Sequence, residues 1–359
     1  MTEQATEGTA RRSSPARMAA RIVIALVLIV VIFWYLLKDI SLADVWAAIT
    51  AMTWVELLGL AVVAGWNLVT YALVWMTVTP GLGFGRAMLM TQATTAITNT
   101  VPAGSAIGIG MTYAMLHSWG FSRSRTTIAV LVSGVWNAFA KLAIPVLALA
   151  LVALQGDATA ARVTAAAFGI GGLIAAIVIF ALMLRSEHMA ERVGVIAGRI
   201  TSRLLALIRR PPVQGWEIAT VKFRNRTVDL LEHGWFPITA ATVVSHLSLY
   251  LVLLVCLRDV GVSNAEANWA EVLAVFAFAR LATAIPITPG GAGVVEAVLI
   301  TGLSAAGGDK AEVVAAVLVY RALTWGLPVL VGVVCLLWWR RQTLTSPADE
   351  ASSTGAARP

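Results

Sequence analysis

The sequence predicts an all-α, polytopic integral membrane protein with about six full spans. Hydrophobic residues make up 59% of the 359 positions and charged residues only 13%, a composition that excludes a soluble globular domain. The apolar residues form long runs separated by polar loops. Proline and glycine break two of these runs, which predicts two re-entrant hairpins in addition to the spans.

The net charge of +7 raises the question of a nucleic-acid partner, but the basic residues lie between apolar runs rather than on a separate domain. Membrane topology and anionic lipid headgroups explain this distribution better, so we expect no nucleic-acid binding. Cys256 and Cys335 lie inside apolar segments, where packing is the commonest role of a cysteine. The sequence has no metal-ligand spacing, nucleophile elbow or phosphate loop, so we expect neither a metal nor a cofactor.

We interpret six apolar runs as helices that cross the bilayer. They cover about 22–37, 55–78, 126–154, 162–184, 236–257 and 312–339. A cleaved signal peptide is the alternative for the first run, because residues 41–43 loosely resemble a cleavage site. The length of that run and the spans that follow favour an uncleaved anchor.

The chain is broken by proline and glycine where the flanking apolar segments are too short to span. The first break, at Pro102 and Gly104, separates 87–101 from 105–116. The second break contains Pro286, Pro289, Gly290, Gly291 and Gly293. Broken backbone at membrane depth is tolerated only where protein buries it or a water-filled cavity solvates it. We therefore predict two re-entrant hairpins whose tips line a substrate path.

The distribution of basic residues predicts that both termini are cytoplasmic. The basic residues collect in the N-terminal tail, beside the first hairpin, in a linker at 185–235 and after the last span, whereas the opposite loops are acidic. The order of span, broken hairpin and long span with a late proline occurs twice, in about 55–154 and 236–339. The predicted sidedness places the two hairpins on opposite faces, which makes the halves an inverted-topology repeat.

The predicted organisation is one transmembrane domain at 19–342 between disordered tails at 1–18 and 343–359. The linker at 185–235 is its only sizeable polar segment. Apolar residues recur there at steps of three or four between Met189 and Leu207, with arginines beside them. This pattern is typical of an interfacial amphipathic helix that binds anionic lipid headgroups, and equally of a linker helix packed on the bundle.

Five polar residues within the membrane segments form the predicted substrate path. They are Asn137, Lys141, Arg280, Glu296 and Arg321. An ion pair between Glu296 and Arg321 would fix the second hairpin against the last span or serve the substrate site. Arg280 suits a phosphate, with snorkelling to the interface as the alternative. We expect Lys141 to pair with Glu296 or with substrate, and we assign no catalytic residue.

The second break resembles a known family. The run Pro-Ile-Thr-Pro-Gly-Gly-Ala-Gly-Val-Val-Glu at 286–296, followed by Tyr-Arg-Ala-Leu-Thr at 320–324, is similar to the transmembrane region of lysylphosphatidylglycerol synthases. This flippase-like family also occurs as stand-alone bacterial membrane proteins. The residues at 99–104 look like the first-half counterpart, although an arginine common after that break is absent at 110–113. The resemblance covers roughly 20–340.

The resemblance implies a protein of the bacterial cytoplasmic membrane that moves a lipid between leaflets without the aminoacyl-transferring domain. The leading hypothesis is therefore a non-enzymatic flippase for an anionic lipid, either a phospholipid or a polyprenyl-phosphate-linked glycolipid. One alternative is an intramembrane enzyme on lipid-linked sugars or aminoacyl lipids, for which the loops offer no acid–base cluster. Another is a scaffold partner of a cell-envelope enzyme, docked at 185–235. A homodimer is also compatible with the sequence.

Overall fold

The computed structural model describes residues 41–101, 104–155, 160–207, 215–283 and 288–344. Within these ranges the regular structure is helical. The α-helices are α1 (Leu42–Thr50), α2 (Trp54–Val78), α3 (Phe84–Thr100), α4 (Gly104–Ser118), α5 (Arg123–Leu154), α6 (Ala160–Arg185), α7 (Glu187–Leu207), α8 (Trp216–Asp259), α9 (Trp269–Ala282), α10 (Val294–Ala306), α11 (Lys310–Arg321) and α12 (Leu327–Leu344). A 3-10 turn (Pro289–Gly291) precedes α10, and a π-helical turn (Ala322–Gly326) joins α11 to α12.

Six helical segments of the described chain are long and apolar enough to cross a membrane. They are Trp54–Val78, Arg123–Leu154, Ala167–Arg185, Gly234–Asp259, Pro289–Ala306 and Lys310–Gln342. The predicted fold class, an all-α polytopic membrane protein, is therefore confirmed. Five of these segments match predicted spans. The first predicted span, at 22–37, and the predicted tail at 1–18 lie outside the described residues. The predicted tail at 343–359 also lies outside them, except for residues 343 and 344, which end α12.

The segment Pro289–Ala306 qualifies as a span by length and composition, but its backbone is not one continuous helix. Gly290, Gly291 and Gly293 all have positive φ, so the α-helix begins only at Val294. The 13 residues of α10 reach about 20 Å, against about 30 Å for a hydrocarbon core. This length supports the interpretation of α10 as one arm of a hairpin.

Two pairs of adjacent short helices correspond to the predicted hairpins. Helix α3 packs on α4, and α9 packs on α10. The two helices of the first pair approach each other closely at Gly104, where a Cβ would lie 2.5 Å from the carbonyl oxygen of Ile97. The tip residues Pro102 and Pro286 lie outside the described residues.

Packing between the two halves is reciprocal. Helix α3 of the first hairpin packs against α12, and α9 of the second hairpin packs against α5, so each hairpin contacts the long proline-containing helix of the other half. The spans α2 and α8 pack directly on each other. A two-fold relation between the halves would produce such reciprocal packing. The inverted orientation of the halves stays a prediction.

The α2–α8 interface combines apolar packing with buried polar contacts. The Asn67 side-chain amide donates to Ser248 Oγ at 2.7 Å, and Thr70 Oγ1 lies 3.2 Å from the same Ser248 Oγ. Both Asn67 and Thr70 are buried. Such contacts contribute about 0.6 kcal/mol each between membrane helices.

The end of the linker and the span that follows it share one helix. Helix α8 has 44 residues and runs without interruption through Pro237, and its membrane-spanning part begins at Gly234, next to the predicted start at 236. A proline inside a helix removes one backbone hydrogen bond, but a packed helix can continue past it. Helix α7 packs along α8 and α6, which favours the packed-helix alternative, while Ile196 and Ile200 remain 55% and 54% exposed.

Gly332 permits the close approach of α12 to α3. A Cβ at this position would overlap the carbonyl oxygen of Gln92 and lie 2.7 Å from Ala96 Cβ. We expect Gly332→Ala to lower the free energy of unfolding by about 1–3 kcal/mol, because helix backbones would have to separate. Thermal unfolding of the purified protein in detergent measures the change.

Gly65→Ala is the matched control, since a Cβ at Gly65 would meet no atom within 4 Å. Alanine is the better helix former, so this variant should be as stable as the parent or up to about 1 kcal/mol more stable. Equal stability of the two variants would show that the α3–α12 contact tolerates a wider spacing.

Candidate functional site

A polar cavity of about 380 Å³ lies between the two hairpins and the last span. Hydroxyl, amide and guanidinium groups from both halves line it. They include Thr95, Asn99, Asn137, Arg280, Arg321 and Thr324. A second cavity of about 250 Å³ shares Tyr71, Asn137 and Arg280 with the first and extends to α8 at His246. The two cavities thus form one polar path inside an apolar bundle.

Glycine shapes the tip of the second hairpin beside this path. The Thr288 hydroxyl donates to the carbonyl of Ala292 at 2.7 Å and closes the turn that contains Gly290. A Cβ on Gly290 would lie 2.5 Å from the Trp325 indole nitrogen and 2.9 Å from Asn99 Oδ1. Positive φ and this close approach together require glycine. The contact also joins the second hairpin to the end of α3.

The predicted ion pair between Glu296 and Arg321 is present. Arg321 Nε donates to Glu296 Oε1 at 2.7 Å, and a second guanidinium nitrogen lies 3.4 Å from the carbonyl oxygen of Gly290. Glu296 lies in the first turn of α10 and Arg321 in the last turn of α11, which are the helix ends that favour each charge. The pair therefore ties the hairpin tip to the last span.

A π-helical turn follows Arg321 directly. Pro328 has no backbone N–H, so the carbonyl of Thr324 loses its usual helical donor. The widened turn at Ala322–Gly326 lies between Arg321 and Pro328. Thr324 and Trp325, which belong to this turn, line the cavity. Such turns are frequent at functional sites.

Arg280 and Lys141 bring positive charge to the same region. Arg280 lines both cavities, and its buried Nε has no hydrogen-bond partner among the described residues. Lys141 Nζ donates to Thr283 Oγ1 at 3.1 Å, and the Thr283 hydroxyl lies 2.6 Å from the carbonyl oxygen of Arg280. The two positive charges are close enough to repel each other. Of the two partners predicted for Lys141, Glu296 is paired with Arg321 instead, and substrate stays a prediction.

The ionisable groups around the cavity carry a formal surplus of positive charge. Arg280, Lys141 and Arg321 are basic, whereas Glu296 is the acidic group placed among them and is already paired. A net excess of buried positive charge is costly in a membrane interior unless an anion balances it. The arrangement can therefore bind a negatively charged group and can orient it with the surrounding hydroxyls.

Several residues that line the cavities were not predicted from the sequence. Thr91, Thr94, Thr95 and Thr98 follow helical spacing along α3, and each lines one or both cavities. This spacing of threonines in a short membrane helix was a visible signal of a polar face. The His246 Nδ1 lies 3.0 Å from the carbonyl oxygen of Thr242, and the side chain also lines the smaller cavity.

The family of the chain follows from sequence comparison. No curated protein matches the chain. The sequence model of a family described as "Lysylphosphatidylglycerol synthase TM region" matches residues 22–332, which include all the cavity-lining residues named above. Since this match covers most of the chain and agrees with the helical membrane fold, the protein belongs to the lysylphosphatidylglycerol synthase transmembrane-region family.

Proposed function

We propose that the protein is a flippase that moves an anionic lipid between the leaflets of the bacterial cytoplasmic membrane. The observation that carries the proposal is the positively charged polar cavity inside a bundle of apolar helices. Arg280 is partly buried and its Nε lacks a partner among the described residues, so an anion that binds there stabilises the cation. Lipid phosphate is the anion that the surrounding membrane supplies.

The volume of the cavity supports a lipid headgroup as the bound part. About 380 Å³ lies near the lower end of the range for small-ligand sites, which is about 300–1,000 Å³. A phosphate with a small polar substituent fits this space, while the acyl or prenyl chains would stay in the bilayer. Phospholipids and polyprenyl-phosphate-linked glycolipids both meet this requirement.

The charged residues have distinct roles in the proposed cycle. The guanidinium groups of Arg280 and Arg321 each offer paired N–H donors to phosphate oxygens, and Lys141 adds a charge at the rim. Glu296 balances Arg321 when the cavity is empty and competes with the arriving phosphate. Because Arg321 also contacts Gly290 at the hairpin tip, binding would loosen the tip from the last span. These steps form no covalent bond, so we propose transport rather than catalysis.

The topology required by this cycle is also part of the proposal. Both termini are placed in the cytoplasm, and the halves form an inverted repeat whose hairpins open alternately to the two leaflets. The reciprocal packing of each hairpin on the long helix of the other half supports this arrangement. Cysteine accessibility that reached both hairpin tips from the same side only would contradict it.

The first test measures leaflet exchange of fluorescent lipids in proteoliposomes, with protein-free vesicles as the measure of leak. Glu296→Gln should lower the exchange rate about tenfold or more, or ~1.4 kcal/mol and above, because the carboxylate charge is lost while the side-chain shape is kept. Arg321→Ala should have the same effect. Thermal unfolding shows whether each variant is folded.

Glu191→Gln is the matched control, since Glu191 is exposed on α7 and distant in sequence from the cavity residues. Its exchange rate should equal that of the parent. Parent-like exchange in the folded Glu296→Gln variant would remove Glu296 from the mechanism. An absence of exchange with every lipid tried would overturn the flippase proposal itself.

The charge surplus also predicts which headgroups the cavity rejects. Phosphatidylglycerol should exchange about tenfold faster than its lysyl ester, because the added ammonium groups face Arg280 and Lys141. Arg280→Gln should reduce this ratio, whereas Lys310→Gln, at an exposed position, should preserve it. The ratio is read from paired exchange assays on the same vesicle preparation. Equal rates for both lipids in the parent would show that headgroup charge does not select the substrate.

A further inference from the structure

A larger cavity lies at the other end of α3. It has a volume of about 810 Å³ and is enclosed by the start of α3, the end of α4 and the C-terminal part of α12. Of the described residues, none lines both this cavity and the central one. We name it the basal cavity, and define it by Arg86, Trp119, Cys335, Trp338 and Trp339.

One side of the basal cavity favours negative charge. The Arg86 guanidinium lies 5.8 Å from the centroid of the Trp119 ring, so a cation–π contact holds it in place. Arg86 also belongs to the first turn of α3, whose N-cap is Gly83 and has no side-chain cap. The amide groups of this turn carry the positive end of the helix dipole. Of the described residues that line the cavity, none is acidic.

The other side of the basal cavity is apolar and aromatic. The Trp339 indole nitrogen donates to Ser118 Oγ at 3.1 Å, which fixes the ring between α12 and α4. Trp338 is 60% exposed, and Cys335 and Leu89 complete the wall. Tryptophan is enriched at membrane–water interfaces because its ring is apolar and its N–H is polar. A cation and an apolar wall in one cavity are complementary to an amphiphile.

We propose that the basal cavity is a second lipid site, which binds an anionic phospholipid. The phosphate contacts Arg86 and the first turn of α3, and an acyl chain lies along Trp119, Trp338 and Cys335. A free phosphate would use only the cationic side and would leave the tryptophan wall without a partner. A zwitterionic lipid would use the wall but would bring its own ammonium group beside Arg86.

Occupancy of the basal cavity would reach the central cavity through α3. Arg86 and Asn99 are 13 positions apart in one helix, a distance of about 20 Å along its axis. Helix α12 packs along α3 between these two points. A lipid wedged among α3, α4 and α12 would therefore brace the base of the first hairpin. The site itself does not depend on the proposed transport function.

Cys335 provides a direct readout, because it lines the cavity while Cys256, the other cysteine of the chain, is fully buried. The rate at which a thiol reagent labels Cys335 is measured in detergent micelles as lipid is added. Phosphatidylglycerol should protect Cys335 at about tenfold lower concentration than phosphatidylcholine with the same chains, which is the effect of one charge-assisted contact. The Cys335→Ser variant, which lacks this thiol, gives the background labelling rate.

Two substitutions test the cationic side and the aromatic side of the cavity independently. Arg86→Gln should abolish the difference between the two lipids, whereas Arg123→Gln, another exposed arginine close to the first hairpin, should preserve it. Trp338→Ala should weaken protection by both lipids, and its exposed position makes misfolding an insufficient explanation. Free glycerol 3-phosphate should not protect Cys335, because it has no chain.

The proposal is overturned if both lipids protect the parent equally, if Arg86→Gln keeps the difference, or if free glycerol 3-phosphate protects as well as the lipid. None of these measurements involves transport. A negative result would therefore leave the flippase proposal standing, and an inactive transporter could still bind lipid here.

Discussion

The structure depends on keeping broken backbone and charged side chains satisfied inside an apolar bundle. The second hairpin tip needs three glycines with positive φ, and the Arg321–Glu296 pair secures it while Arg321 approaches the carbonyl of Gly290. Neither the turn nor the pair would be stable against lipid. The polar cavity beside the tip gives both the turn and the ion pair a polar environment, and residues of both hairpins line that cavity. The turn, the ion pair and the cavity thus stabilise one another.

In the proposed cycle, one guanidinium group couples anion binding to the position of the hairpin. The guanidinium group of Arg321 donates to the carboxylate of Glu296, approaches the carbonyl of Gly290 at the hairpin tip, and lines the cavity. An anion that takes a share of its donors weakens the other contacts, because an arginine offers a fixed number of N–H groups. Arg280 has no such competing partner in the described part of the chain, so it can attract the anion before Arg321 changes partners.

Much of the fold was predictable from the sequence, because apolar length, proline and glycine act locally. The spans, the paired short helices and the Glu296–Arg321 pair all follow from such signals. The sequence could not show that Lys141 would contact Thr283, since that contact depends on how α9 packs against α5. The helix through Pro237 was missed because packing can outweigh the loss of one hydrogen bond. The threonine face of α3 is visible in the sequence as helical spacing, but uncharged hydroxyl groups are a weaker signal of a membrane site than charged residues.

Helix α3 lies beside both the central cavity and the basal cavity. Its C-terminal half carries the threonine face toward the central cavity, and its N-terminal turn carries Arg86 at the basal cavity. Helix α3 is too short to span the membrane and too polar to face lipid. It is covered by α12, which it approaches closely at Gly332. Helix α12 continues through the π-helical turn into Arg321. A displacement at the basal cavity would therefore have a continuous, closely packed helix as its route to the ion pair, and the α3–α12 contact is the structural element next to both cavities.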